Sequence, residues 1–454
     1  MKYHIRTEGC QMNVADSQRL ASALEKLGVT ATEQQRDAQI VVLNTCVVRQ
    51  SAEDKALSWI HYAKQLKARQ PELIVGVMGC LVGVRGNHQL AAQFPYIDVF
   101  MAPSDPQPMV DYLLSKEGLA LSQQQTEMQH LLLDGDLVLP QAEVNNLVAA
   151  HVPIVYGCSY ACTFCIIPFR RGIERSRSIG EIAAEVRSLT RQGVREVTLL
   201  GQIVDRYGYD VPDGPNLAQL LRVLHEIPDL ARIRFLTSHP NYMTDELLQT
   251  VAELPKVAKH IEVPVQAGSD KVLDEMRRGY TNGQYRDLVA RIRATIPQVG
   301  IATDIIVGFP GESEADFQQT YDLLADLKLD KVHIAKYSPR EGTVSARRMD
   351  DDVPAEEKER RRKALDDLQK QILTEKHAGM VGQVFDVLVE ERHKDKWRGR
   401  TTQNKLVFVD SDAALKGEIV AVRITHSGPW SLQAEPVDVA LARPAETIPL
   451  PVLG

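Results

Sequence analysis

Half of the six cysteines in this 454-residue chain fall in one stretch, Cys158-Ser159-Tyr160-Ala161-Cys162-Thr163-Phe164-Cys165. That spacing puts three thiols on one short loop. Three soft thiolates closing on one centre suit zinc or an iron–sulfur cluster, and a triad leaves one coordination position vacant. A zinc loop, or three inert buried thiols, would satisfy the same spacing. The stretch follows His151-Val152-Pro153-Ile154-Val155-Tyr156-Gly157. This apolar run reads as a strand, so the loop lies at its carboxyl end, where α/β enzymes build their sites.

The other three cysteines repeat the arrangement across a longer span. Tyr3-His4-Ile5-Arg6, Ile40-Val41-Val42-Leu43 and Leu73-Ile74-Val75-Gly76-Val77-Met78 read as strands. Helical patterns separate them, one around Asp16 to Leu24 and one from Ser51 to Lys67. Alternating strands and helices predict a parallel α/β sheet over 1–115. Cys10, Cys46 and Cys80 each follow one of these runs closely. Strand carboxyl ends share one edge of such a sheet, so the three thiols should converge there, as a second metal site in place of three separate buried thiols. From 116 to 146 the periodicity dissolves into Gln123-Gln124-Gln125 and Asp134-Gly135-Asp136, which reads as a linker.

From residue 147 to 376, strand-like runs and helices alternate. Beyond the run before Cys158 come Glu196–Leu200, Arg232–Leu236, His260–Val265, Ala302–Val307 and Lys331–Ala335. Six β/α units predict a partial (β/α)6 barrel. The strand ends are polar or small, which lets a ligand approach the backbone and offers side chains to hold it. Pro354 to His377 reads as one helix, whose Arg360-Arg361-Arg362-Lys363 run is expected to be a solvated face balanced by Glu356, Glu357 and Glu359. Short strand patterns from 377 to 440 suggest a small β-barrel. In it, Arg392-His393-Lys394-Asp395-Lys396-Trp397-Arg398-Gly399-Arg400 reads as a basic loop carrying an indole, with Trp430 in a later loop. Such side chains meet the needs of single-stranded RNA, charge for phosphate and a flat face for a base. The tail, 441–454, reads as disordered.

Net charge is −7, so an RNA partner would be held by a local surface and not by the whole protein's field. The first residues carry no apolar h-region and no run is long enough to span a bilayer, so no membrane association and a cytoplasmic location are expected.

Cys158, Cys162 and Cys165, with Phe164 before the last cysteine, resemble the loop of the radical S-adenosylmethionine superfamily, which implies a partial barrel with a 4Fe–4S cluster and S-adenosyl-L-methionine. Thr7-Glu8-Gly9-Cys10-Gln11-Met12-Asn13, Asn44-Thr45-Cys46 and Met78-Gly79-Cys80 resemble the amino-terminal domain of the radical methylthiotransferases. That resemblance implies an auxiliary 4Fe–4S cluster on Cys10, Cys46 and Cys80, and Gly201, Gln202, Ser238, Gln266 and Asp304 as cofactor contacts. The carboxyl-terminal strands are similar to a TRAM domain, with Lys396, Trp397, Arg398 and Arg400 as RNA contacts. The activity implied is methylthiolation of isopentenyladenosine beside a tRNA anticodon. The partners implied are a tRNA anticodon stem-loop and an electron donor such as a flavodoxin or ferredoxin, with the enzyme a monomer. Relatives acting on threonylcarbamoyl-adenosine or on a ribosomal-protein aspartate are the alternatives, as is a non-catalytic RNA-binding iron–sulfur protein. One position departs from the isopentenyladenosine branch, which usually has Asn after Gly-Gln where this chain has Ile203.

Overall fold

A computed structural model of the chain describes residues 1–48, 50–85, 88–116 and 138–437. The amino-terminal segment forms a five-stranded parallel sheet in the order β2-β1-β3-β4-β5. Its strands are β1 (Lys2–Thr7), β2 (Thr30–Ala31), β3 (Ile40–Thr45), β4 (Ile74–Gly79) and β5 (Val99–Met101). Central strands β3 and β4 are buried along their whole length, which is why they read as unbroken apolar runs. Successive side chains serve opposite faces. Val41, Leu43, Val75 and Val77 pack with Ala56, Ile60 and Ala63 of helix Gln50–Arg69. Ile40, Val42, Ile74 and Met78 pack with Leu20 and Leu24 of helix Gln11–Lys26. The two short strands β2 and β5 were not visible as runs, because two or three residues give no period.

Most of the expected linker, 117–137, lies outside the described residues. Its end is not free: Leu139 is buried in the core of the next segment, and the Gln18 amide donates to Glu143 at 2.8 Å. The six expected β/α strands are all present as β6 (Ala149–Pro153), β9 (Glu196–Leu200), β10 (Arg232–Phe235), β11 (His260–Glu262), β12 (Gly300–Val307) and β13 (Lys331–Lys336). They form two parallel three-stranded groups, β6-β9-β10 and β11-β12-β13. The groups are joined where the Ala258 N–H donates to Ile233 O at 2.8 Å and the Ser238 N–H to Glu262 O at 3.0 Å. Helices Ile179–Arg191, Asn282–Thr295 and Glu314–Leu327 open on capping boxes at Ser178/Glu181, Thr281/Gln284 and Ser313/Asp316, which fix where each βα turn ends. A two-stranded antiparallel ribbon, β7 (Val155–Tyr156) with β8 (Arg175–Ser176), brackets the cysteine loop. At its base a Cβ on Gly157 would lie 2.1 Å from Ile173 O, so only glycine lets the loop leave the strand there.

The sheet and the barrel belong to one compact unit, Met1–Gln369, and Lys370 onward forms a second. Helix Ala355–Ala378 carries the basic run. Arg360 and Arg362 are ion-paired with Glu357 and Glu359, as a solvated face would be. Arg361 corrects that expectation: it is buried and paired with Glu312 at 2.8 Å, holding the turn Gly308–Glu312. The second unit contains a closed five-stranded barrel, β14-β15-β16-β18-β17, of β14 (Val384–His393), β15 (Lys396–Thr401), β16 (Leu406–Val409), β17 (Ile419–Ser427) and β18 (Leu432–Pro436). The expected basic loop is here corrected to a hairpin, with Lys394-Asp395 as its turn and residues 396–401 as a strand. Residues 441–454, the expected tail, lie outside the described residues.

Candidate active site with two cysteine triads

Parallel register brings the first triad together. Thr7 is opposite Asn44 and Thr45 opposite Gly79, so Cys10, Cys46 and Cys80 leave neighbouring strands at one sheet edge. Two glycines make room. Gly9 has φ +146°, and a Cβ there would sit 2.7 Å from the Cβ of Cys46; Gly79 has φ +100°, and a Cβ there would sit 2.5 Å from Thr45 O. Buried amides lock the edge: Asn13 Nδ2 donates to Asn44 Oδ1 and Thr45 O, both at 2.9 Å, and Asn44 Nδ2 donates back to Asn13 O at 2.8 Å. Burial pushes the Cys46 thiol up to about 11, helped by the nearby Cys80 and Cys10. Cys80 is also raised by burial, opposed by the Arg171 guanidinium, whose Nε donates to Cys80 Sγ at 3.3 Å.

The second triad is held by the segment after β11. The Thr163 N–H donates to Met276 O at 3.2 Å, Thr163 Oγ1 to Glu275 O at 2.8 Å and Tyr160 Oη to Arg278 O at 2.7 Å. Burial pushes Cys158 up to about 11 and Cys165 up to about 12. Arg278, itself buried, donates from Nη1 to Cys162 Sγ at 3.1 Å, and Tyr280 and Pro264 O fix the rest of its fork. Among the described residues no carboxylate pairs with Arg278.

Among the described residues no three side chains stand already closed as a metal site, but the burial and the cations around each triad suit an iron–sulfur cluster. Burial raises the Cys80 thiol, so the Arg171 guanidinium aimed at its sulfur has no charge to answer until metal replaces the proton. For Arg278 a thiolate cluster is the counter-charge that its burial calls for.

The proposed cofactor residues lie at the barrel strand ends. Gly201 is buried against Val155, and Gln202 beside it is half-buried. Ser238 is buried with no partner for its hydroxyl. Gln266, at φ +76°, bridges β11 and β12 by exchanging backbone bonds with Asp304 and Ile306, both 2.9 Å. Asp304 faces Glu262, whose carboxyl is pushed up to about 7 by burial and by the Asp304 charge. Phe164 is half-buried and meets Phe309 edge-on at 6.4 Å.

Sequence reading missed several members. His239 caps its turn, accepting from the Asn241 N–H through Nδ1 at 3.3 Å. Burial and the cations Arg278 and Arg206 hold its ring down at about 2, so it is neutral. With Nδ1 accepting, the proton sits on Nε2, a buried donor without a partner. Asp205 below it accepts the His239 backbone N–H on both oxygens at 3.0 Å. Tyr160 meets His239 at 4.4 Å with the rings tilted by 46° and turns an edge to Tyr242 at 6.3 Å, while Arg206 lies 4.6 Å over Tyr242. No local pattern marks these residues, which come from three separate segments around 160, 205 and 239. The one available signal was an aromatic inside the cysteine loop itself.

In the second unit the four expected RNA residues divide. Trp397 is corrected: it is buried among Val387, Val409 and Leu415, and its Nε1 donates to Ala413 O at 2.8 Å. Lys396 is 3.5 Å from Asp410, Arg400 is 3.5 Å from Glu390, and Arg398 is paired with Glu391. Trp430, by contrast, is 60% exposed.

Comparison with known proteins agrees with this geometry. Residues 152–324 match the Radical SAM superfamily, 2–102 the Uncharacterized protein family UPF0004 and 379–437 the TRAM domain. A tRNA-2-methylthio-N(6)-dimethylallyladenosine synthase of Chloroflexus aurantiacus is 47% identical, covering 96% of this chain and 91% of its own. One of Dehalococcoides mccartyi is 45% identical, covering 96% and 99%, and one of Roseiflexus is 46% identical, covering 98% and 90%. Among solved structures, the radical S-adenosylmethionine methyltransferase TsrM from Kitasatospora setae superposes with a TM-score of 0.54 over 76% of this chain and 74% of that one, at 13% identity. That likeness is one of fold. At 45–47% identity to these synthases over nearly its whole length, the chain belongs to the family of the tRNA-2-methylthio-N(6)-dimethylallyladenosine synthases, radical S-adenosylmethionine methylthiotransferases.

Proposed function

We propose that this enzyme methylthiolates carbon 2 of N6-dimethylallyladenosine beside the anticodon of tRNA. The observation that carries the reading is the pair of triads in one compact unit, each at the carboxyl ends of parallel strands and each with a buried arginine on sulfur. Carbon 2 of adenine bears an unactivated C–H bond that no side-chain acid, base or nucleophile can substitute, so the one-electron chemistry comes from the cofactor. Cys158, Cys162 and Cys165 would hold one 4Fe–4S cluster, and Cys10, Cys46 and Cys80 an auxiliary one. S-adenosyl-L-methionine at the Cys158, Cys162 and Cys165 site would supply a carbon radical, and Gly201, Gln202, Ser238, Gln266 and Asp304 would seat it, with Phe164 of the loop packed against Phe309.

This chain's residues supply position and charge. Arg278 answers the thiolate charge at Cys162, and the neutral His239 offers an uncommitted N–H at the barrel mouth. Ile203, where the isopentenyladenosine branch usually has Asn, packs with Cys158 and Ile167 in a small apolar cluster flanked by Tyr160 and Tyr242. In the second unit Trp430 is the exposed aromatic for the anticodon stem-loop, with Lys396, Arg398 and Arg400 at the phosphates. A monomer, a cytoplasmic setting and reduction by a flavodoxin or ferredoxin complete the reading; no described helix is long and apolar enough to cross a membrane.

Nucleoside mass spectrometry of tRNA from a deletion strain tests it. The 2-methylthio form should vanish while the dimethylallyl nucleoside accumulates, and the gene in trans should restore it. Loss of a methylthiolated threonylcarbamoyl-adenosine instead would reassign the substrate.

A further inference from the structure

The helix that follows the radical-cluster loop does not pack only on its own barrel. Helix Ile167–Arg171 begins just after Cys165, and Ile166 and Phe169 lie in one apolar cluster with Cys80, Leu81 and Val82. The Val84 N–H donates to Arg170 O at 3.1 Å, tying the loop after Cys80 to the same helix. At its end, the Arg171 side chain is only 3% exposed. Its Nε donates to Cys80 Sγ at 3.3 Å, while Nη1 and Nη2 both donate to Asp16 Oδ2 at 3.3 Å. Asp16 is fully buried, lies on the helix that starts after Cys10, and accepts from Ser104. One guanidinium therefore joins the segment after the second triad to two of the three segments carrying the first.

We propose that Arg171 is a positioning residue for the auxiliary cluster, holding the Cys80 sulfur from the radical-cluster side and raising that cluster's reduction potential. The inference rests on the reading of Cys10, Cys46 and Cys80 as cluster ligands. Reduction adds a negative charge to the cluster, and a hydrogen bond and a positive charge at a ligand sulfur favour the more negative state. Away from water the effect is screened little. Asp16 holds the fork in place but opposes its field, so the two side chains act with opposite sign.

The test uses the full chain with Cys158, Cys162 and Cys165 all changed to Ala, reconstituted anaerobically so that only the auxiliary site reports. Iron per chain and the midpoint potential from a titration followed by electron paramagnetic resonance are read, with no need for turnover. The background should hold about four irons. Arg171→Met should move the midpoint to a more negative value, Arg171→Lys should recover part of the shift, and Asp16→Asn should move it to a more positive value. Unchanged midpoints, or shifts of the same sign for Arg171→Met and Asp16→Asn, would reduce Arg171 to a packing residue and overturn the proposal. If Arg171→Met does not hold a cluster, Asp16→Asn against Arg171→Lys decides the sign. An iron-free background instead removes the auxiliary-site reading, and this proposal with it.

Discussion

Trp397 and Trp430 are two of the chain's three tryptophans, and they lie in opposite surroundings, one buried and one exposed. Trp397 fills the small barrel and has its indole N–H satisfied, so Trp397→Ala leaves a large cavity and an unpaired Ala413 carbonyl. The expected cost is about 3–5 kcal/mol of that unit's stability, read as a lower denaturation midpoint. Trp430→Ala removes an exposed ring and should leave that midpoint within error while weakening binding of an anticodon stem-loop by roughly 1–3 kcal/mol, the value of one stacked base. Equal affinity for the parent and the Trp430 variant would move RNA recognition off this loop. From sequence the two indoles looked alike, because basic neighbours make a strand resemble a loop. The signal that distinguished them was alternation: Trp397, Gly399 and Thr401 point inward and Lys396, Arg398 and Arg400 outward, a period of two.

At the scale of elements, what was legible followed from burial. The strands β3, β4, β9 and β12 are apolar along most of their length, and chain order alone made their sheets parallel. The cysteines were legible as a set because strand carboxyl ends share an edge. The turns that aim them were less so, since they depend on glycines whose neighbours come from other strands. Gly79 is the sharpest case. Gly79→Ala would put a methyl group against the Thr45 carbonyl in a backbone conformation that favours glycine, at the residue before Cys80. Iron should fall from about eight to about four per chain, the amount one triad binds. Gly28→Ala is the control: its φ is also positive, at +80°, but nothing lies within 4 Å, so strain of roughly 1–2 kcal/mol should leave iron content intact. Equal iron in both variants would mean that the Gly79 turn does not set the Cys80 position.

At the scale of the molecule, each triad could be read from spacing or strand order, whereas its counter-charge could not. Arg278 is 116 residues from Cys162 and Arg171 is 91 from Cys80, and only the fold brings them to sulfur. The two triads share one compact unit and helix Ile167–Arg171 reaches from one to the other, yet each cysteine set is held by its own backbone partners, one on the sheet edge with Asn13 and Asn44, the other on the segment after β11. That separation makes the halves of the reaction separable. Cys46→Ala should lose about half the iron, since two thiols no longer close one site, and should abolish methylthiolation. It should still cleave S-adenosyl-L-methionine in strong reductant, because the barrel residues Arg278, Ser238 and Gln266 are untouched. Cys162→Ala should lose about the same iron and all cleavage, because it removes the sulfur on which Arg278 is centred. Iron analysis alone would score the two variants alike, so the informative measurement is 5′-deoxyadenosine per chain against methylthiolated product per chain. Cleavage retained in Cys46→Ala and absent in Cys162→Ala assigns radical formation to the barrel triad and sulfur delivery to the sheet edge, whereas parallel loss of both in folded protein would mean that the two triads serve a single centre.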